Sequence, residues 1–152
     1  PLLLGGCGEK ESDSVTLPLS DADVERLLKE AIDFESLQRR NGLLYQVNES
    51  EPYNGWTKMM YKNVLNPAHL GRKRNLTQIK GGKPIGIATG WFPNGQKVWE
   101  TTYKDGKVGH STVWHENGQK AQEETYKDGE EVSAKYWNSK GEPVDSEEEA
   151  FK

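Results

Sequence analysis

Trp91, Trp114 and Trp137 stand 23 residues apart, and Gly95, Gly118 and Gly141 follow them at a constant phase. A period of this length marks a small supersecondary unit stacked in a row, each copy resting mainly on its neighbours. Within the period, WFPNGQK at 91–97 matches WHENGQK at 114–120, and TYKDG at 102–106 matches TYKDG at 125–129. The turn pairs Asn94-Gly95, Asp105-Gly106, Asn117-Gly118, Asp128-Gly129 and Lys140-Gly141 are spaced 11, 12, 11 and 12, which reads as hairpins in series. The expected fold is mainly β: an elongated single-sheet meander of β-hairpin repeats over 43–141, preceded by one amphipathic α-helix. A degenerate first unit runs from YNGWTKMMY at 53–61 to IKGGKPIG at 79–86, and the segment between them, with Pro67, His69 and the run Arg72-Lys73-Arg74, reads as a solvated insertion.

Such a sheet must be held together with few aliphatic side chains, since Leu, Ile, Val and Phe make up only about a fifth of the chain. Five Trp and six Tyr with a net charge of −4 argue for a folded chain in which rings do the packing. A pI near 5.5 gives no basic footprint, so no nucleic-acid partner is expected. No stretch approaches the ~20 apolar residues that a membrane-spanning helix needs.

The front of the chain reads differently. Residues 1–7 are PLLLGGC, an apolar run passing through small residues into the only cysteine, and the polar stretch at 8–19 is a tether. Leu4, Gly5, Gly6 and Cys7 resemble a bacterial lipobox, and that resemblance implies that Cys7 is acylated and anchors the chain to a membrane. A helix is expected over 20–42. Ser20 and Asp23 suit its N-terminus, Val24, Leu27, Leu28, Ala31, Phe34 and Leu37 recur at helical spacing, and Asn41-Gly42 reads as its C-terminal cap. Residues 142–152 read as a frayed acidic tail.

The repeats themselves resemble the MORN-repeat variant of bacterial proteins that include YwqK-type antitoxins. The likeness rests on the phrase aromatic, turn, Asn-Gly, then Tyr-Lys-Asp-Gly, with Gly86 and Gly109 each five residues before the next Trp. What it implies is a hairpin meander used for binding or assembly, without catalysis.

Strand side chains alternate between faces, so an odd period would alternate the environments of matching tryptophans unless a turn absorbs an extra residue. Pro93-Asn94-Gly95 suits a type I turn followed by a left-handed glycine, while the Asp-Gly turns stay two-residue. The register then places Trp91 beside Lys97, Tyr103 beside Val108 and Trp114 beside Lys120. Trp91, Trp99, Tyr103, Trp114, Tyr126 and Trp137 fall on one aromatic face; Gly86, Ala88, Gly90, Thr102, Gly109, Ser111, Ala121 and Thr125 fall on the other. Trp99 stands apart because its counterpart one unit later is Gln122. A ring that the repeat does not require marks a candidate binding position.

Catalytic patterns are missing from this reading. His110 and His115 face opposite sides of one strand, so no metal is expected, and Ser111 has no acid–base partner or strained elbow around it. Glu123-Glu124 and Glu130-Glu131 point apart as adjacent strand residues. GGKPIG at 81–86 has no following helix and reads as a turn, not a phosphate loop. The expectation is a non-catalytic envelope protein with no cofactor, held at the membrane through lipid on Cys7 and facing the periplasm or exterior. It would bind a partner protein or envelope polymer as a scaffold; the alternative is an antitoxin or immunity protein that covers a toxin.

Overall fold

The computed structural model describes residues 19–62 and 65–152. Cys7, the lipobox and the tether to residue 18 lie outside the described residues.

Ser20 opens α1 (Asp21–Glu30) as the sequence suggests. Its oxygen accepts the Asp23 N–H at 3.2 Å and its hydroxyl donates to the Asp23 carboxylate at 2.6 Å, with Asp21 and Asp23 in the first turn. The helix ends far short of residue 42. Ala31 is already extended, its N–H closing on the Leu27 carbonyl at 2.8 Å, and Ile32–Asp33 (β1) pair in parallel with Thr57 and Lys58. One 3-10 turn at Phe34–Ser36 leads into a separate hairpin, β2 (Leu37–Arg40) and β3 (Leu43–Gln46). The spacing of Phe34 and Leu37 suits helix and hairpin alike, and the turn decides between them. Asn41 (φ +50°) and Gly42 (φ +81°) both take the left-handed conformation, which closes a two-residue hairpin instead of capping a helix.

The main sheet continues with β4 (Gly55–Met60), β5 (Lys73–Lys80), β6 (Lys83–Trp91), β7 (Lys97–Lys104), β8 (Lys107–Trp114), β9 (Lys120–Lys127), β10 (Glu130–Trp137) and β11 (Pro143–Val144). Its order is β1-β4-β5-β6-β7-β8-β9-β10-β11, so from β4 onward it is an antiparallel meander in chain order. Two expectations need correction. Lys73 and Arg74 belong to β5 and not to a solvated insertion, because Lys73 pairs with Met60. The tail is folded, since β11 pairs with Tyr136 and Trp137 and the short helix α2 (Glu147–Ala150), capped by Ser146, buries Ala150.

The turns follow their residues. Gly95, with φ +93°, donates its N–H to the Phe92 carbonyl at 2.9 Å, the three-residue loop expected of Pro93-Asn94-Gly95. Asp105-Gly106 closes a two-residue turn between Lys104 and Lys107. Trp91 pairs with Lys97, Tyr103 with Val108 and Trp114 with Lys120, all as the register argument has it.

Two β-bulges per unit lie between those pairs. Gly90 pairs with Trp99 while Trp91 pairs with Lys97, leaving Val98 as an extra residue; Gly109 is extra in the next hairpin, and Ala121 and Val132 repeat both one period later. Each bulge reverses which side the following side chains face.

The hydrophobic cluster is small and local. Val24 and Leu27 from α1 and Ala31 just after it meet Leu76 of β5 and Trp91 of β6, with Leu19, Leu28 and Trp56 at the margin. Farther along, only Thr101, Thr112 and Ala121 are buried among the strand residues of β7–β10. That stretch of the sheet is a single layer over β7 and β8, and α2 packs against β9 and β10 at its C-terminal end.

Candidate functional site

The two bulges divide the expected six-ring face. Trp91, Trp114 and Trp137 lie on the side that α1 covers, the helix face. Trp99, Tyr103 and Tyr126 lie on the opposite, open face, because Val98 and Gly109 each turn the strand over once. The small residues divide as well: Gly86, Ala88, Gly90 and Ser111 pair with the open-face residues Tyr103, Thr101 and Trp99, whereas Thr102 and Thr125 share the helix face with His110.

On the helix face the repeat builds an alternating row across six adjacent strands, Lys73, Trp91, Lys97, Trp114, Lys120, Trp137. Lys73 Nζ lies 5.0 Å from the Trp91 ring centroid, Lys97 5.8 Å from Trp114 and Lys120 5.4 Å from Trp137. Each such pair contributes about 0.5–1 kcal/mol when exposed. The lysines have acidic partners too. Lys97 meets Glu100 at 2.5 Å, and Lys120 meets Glu123, whose carboxyl it holds below the usual range by hydrogen bonding. At the first rung the residue three after the lysine is Leu76 instead of Glu, and Glu25 of α1 supplies the carboxylate to Lys73 at 3.6 Å. The helix therefore completes the rung that lacks an acid of its own, and Trp91 beneath it is 4% exposed.

The open face has a different chemistry. The indole of Trp99 lies over Gly90, where an added Cβ would come within 2.3 Å of Nε1. Trp99, Val113, Gln122 and Tyr136 form one cross-strand row, and Thr101, Ser111, Glu124 and Ala134 form the next. Tyr103 and Tyr126 stand on the far side of the second row. Thr101 and Ser111 hydroxyls are 3.1 Å apart; Glu124 accepts from Gln122 Nε2 at 2.5 Å and from the Tyr126 hydroxyl at 2.8 Å. That last bond, with some burial, pushes the Tyr126 phenol up to about 12. Burial and then Glu131, Glu124 and Glu147 of α2 push up the Tyr136 phenol, and burial alone that of Tyr103.

The histidines go separate ways. His110 faces Thr125 (3.4 Å) and Thr112 (3.2 Å), while His115 Nε2 meets the Trp137 carbonyl oxygen at 2.9 Å. Among the described residues no three His, Cys, Asp or Glu side chains cluster as metal ligands would. A groove of 460 Å³ between the Asp105-Gly106 and Asp128-Gly129 turns is lined by Lys104, Lys107, Val108, Tyr126 and Lys127, which offer no nucleophile with a base beside it.

The sequence register places Lys97 beside Trp91 and Lys120 beside Trp114, but does not show that each lysine also lies over the ring of the following strand, Lys97 over Trp114 and Lys120 over Trp137. Both lysines belong to the repeated Gln-Lys that closes each Asn-Gly turn. Glu124, Glu131 and Tyr136 carried no repeat signal; only the register groups them. Comparison with protein-family models and with curated proteins found no match for the chain.

Proposed function

We propose that this chain is the body of a non-catalytic, lipid-anchored protein of the bacterial cell envelope, in which a repeat sheet serves as a protein-binding or scaffold module. The observation that carries the reading is the thin sheet over β7–β10, backed only by the short α2 at β9 and β10, with ordered rings and charges on each face and few buried residues. A surface of this kind engages a partner by area and pattern, not by enclosing a small substrate. The anchor rests on Leu4-Gly5-Gly6-Cys7 and the polar residues after it. MORN-like units of this kind suit assembly, and α1 would stand between the tether and the sheet.

Fractionation tests the anchor. In cells expressing the precursor, the wild-type chain is expected in the membrane pellet and Cys7→Ser in the soluble envelope fraction. Equal recovery of both in the pellet removes the lipid from the proposal.

A further inference from the structure

We propose that the open face of β7–β10 is the docking surface for a cationic segment of a partner protein, one that carries Lys or Arg in extended conformation across the strands. The inference rests on the protein-binding reading and names the chemistry of the partner. Its first support is charge segregation. By register, the lysines and arginines of β4–β10 lie on the helix face and the strand charges of the open face are Glu124 and Glu131; α2 adds Glu147 near Tyr136, and Lys104, Lys107 and Lys127 reach Tyr126 only at the Asp-Gly turn end of the sheet. Neither Glu124 nor Glu131 has an ion-pair partner among the described residues, whereas Glu100 and Glu123 on the other face each hold a lysine.

The rings tell the same story. Trp91, Trp114 and Trp137 each have a lysine over them, and Tyr45 and Tyr61 each have an arginine. Trp99, Tyr103, Tyr126 and Tyr136 have none among the described residues. Aromatic rings beside unpaired carboxylates are what a guanidinium or ammonium prefers, because the ring quadrupole and the carboxylate attract it together.

The third support is a local departure from the repeat. Where Trp99 and Tyr103 stand, Ala88 is 1% and Thr101 8% exposed. One unit later Gln122 replaces the tryptophan, and Ser111, Glu124 and Ala134 are only half-buried. The result is an accessible polar floor bounded by Trp99, Tyr126 and Tyr136. Trp99 and Tyr136 are three strand spacings apart, roughly 14 Å, a distance that four or so extended residues span.

The probe is an extended decapeptide alternating Arg and Ser, with an alternating Glu and Ser peptide as control, titrated into the full chain and followed through the indole N–H resonance of each Trp. The expected result is a salt-sensitive shift at Trp99 with the Arg peptide alone. Glu124→Gln with Glu131→Gln should weaken it at least about tenfold, while Glu100→Gln with Glu123→Gln leaves it within about twofold. Melting of each variant identifies any loss that is merely unfolding. No shift at Trp99, or an equal loss from the helix-face pair, overturns the proposal. Photo-cross-linking in intact cells separates it from the broader reading, with the photoreactive residue at 136 (open face) or 135 (helix face). A partner captured through 136, with capture lost in the Glu124→Gln, Glu131→Gln background, supports the proposal. Capture through 135 alone leaves a protein-binding module with the wrong face assigned; capture through neither removes the protein-binding reading itself.

Discussion

Gly90 and Trp99 pack as a pair, and the next unit shows what each would be without the other. A Cβ at position 90 would press into the indole at 2.3 Å, and one period later the same two positions hold Val113 opposite Gln122. A large ring over glycine and two medium side chains are alternative ways to cover the same patch of backbone. Gly90→Val alone should therefore destabilise by about 1–3 kcal/mol, as overpacked sites do. Adding Trp99→Gln to that variant should recover most of the loss, although it removes a ring, because it reproduces a combination the sheet already uses. Urea melts of the two single variants and the double complete the cycle. Additive losses would show that ring and glycine are not coupled. The sequence displays the change from Trp99 to Gln122, but not that Gly90 is its companion: that pairing depends on Val98 being an extra residue, and nothing about a valine announces a bulge.

At the scale of elements, the docking of α1 turns on one strand position. Leu76, Glu100 and Glu123 each follow a row lysine by three residues, and only Leu76 lies beneath the helix, fully buried. The leucine offers apolar surface to Val24 and Leu27 and leaves Lys73 for Glu25. A ten-residue helix is marginal alone and depends on that surface. Leu76→Glu gives the first rung the residue that the other rungs carry. It should cost about 2–4 kcal/mol through lost burial and an apolar-facing charge. Hydrogen exchange should show α1 unprotected while β7–β10 keep their protection; an unchanged helix would mean that other contacts hold it. The start of α1 is legible in Ser20 and Asp23 because capping is local chemistry. Its end is not, because helix and hairpin compete over residues 31–42. The parallel pairing of Ile32 with Thr57 that settles the matter joins residues 25 apart in sequence.

Across the whole molecule, what periodicity can reveal and what it conceals have one cause. Every unit carries two bulges, and two reversals of facing cancel over 23 residues, so matching tryptophans return to one side and the spacing stays silent about the rings between them. Strand order, turn types and the pairs at each turn are readable because Gly95, Asp105-Gly106 and their repeats fix them locally. The C-terminal end is not, since Pro143 and a run of glutamates look like a broken unit until β11 and Ala150 are seen closing the last rung. In a quasi-one-dimensional stack of this kind, removal of one whole period should preserve the rest. Deleting 91–113 joins Gly90 to Trp114, restores the row with Trp114 under α1, and should leave a shorter sheet that still melts cooperatively. Deleting 91–101 removes Trp91, the Asn-Gly turn and five of the eight residues of β7, so that β6 runs straight into the last three. The pairing of β7 with β8 then has no partner edge, and strands beyond it should lose exchange protection while β4–β6 keep theirs; α1, deprived of Trp91, should weaken as well. Similar melting of the two deletions would mean that stability does not pass from unit to unit along the sheet.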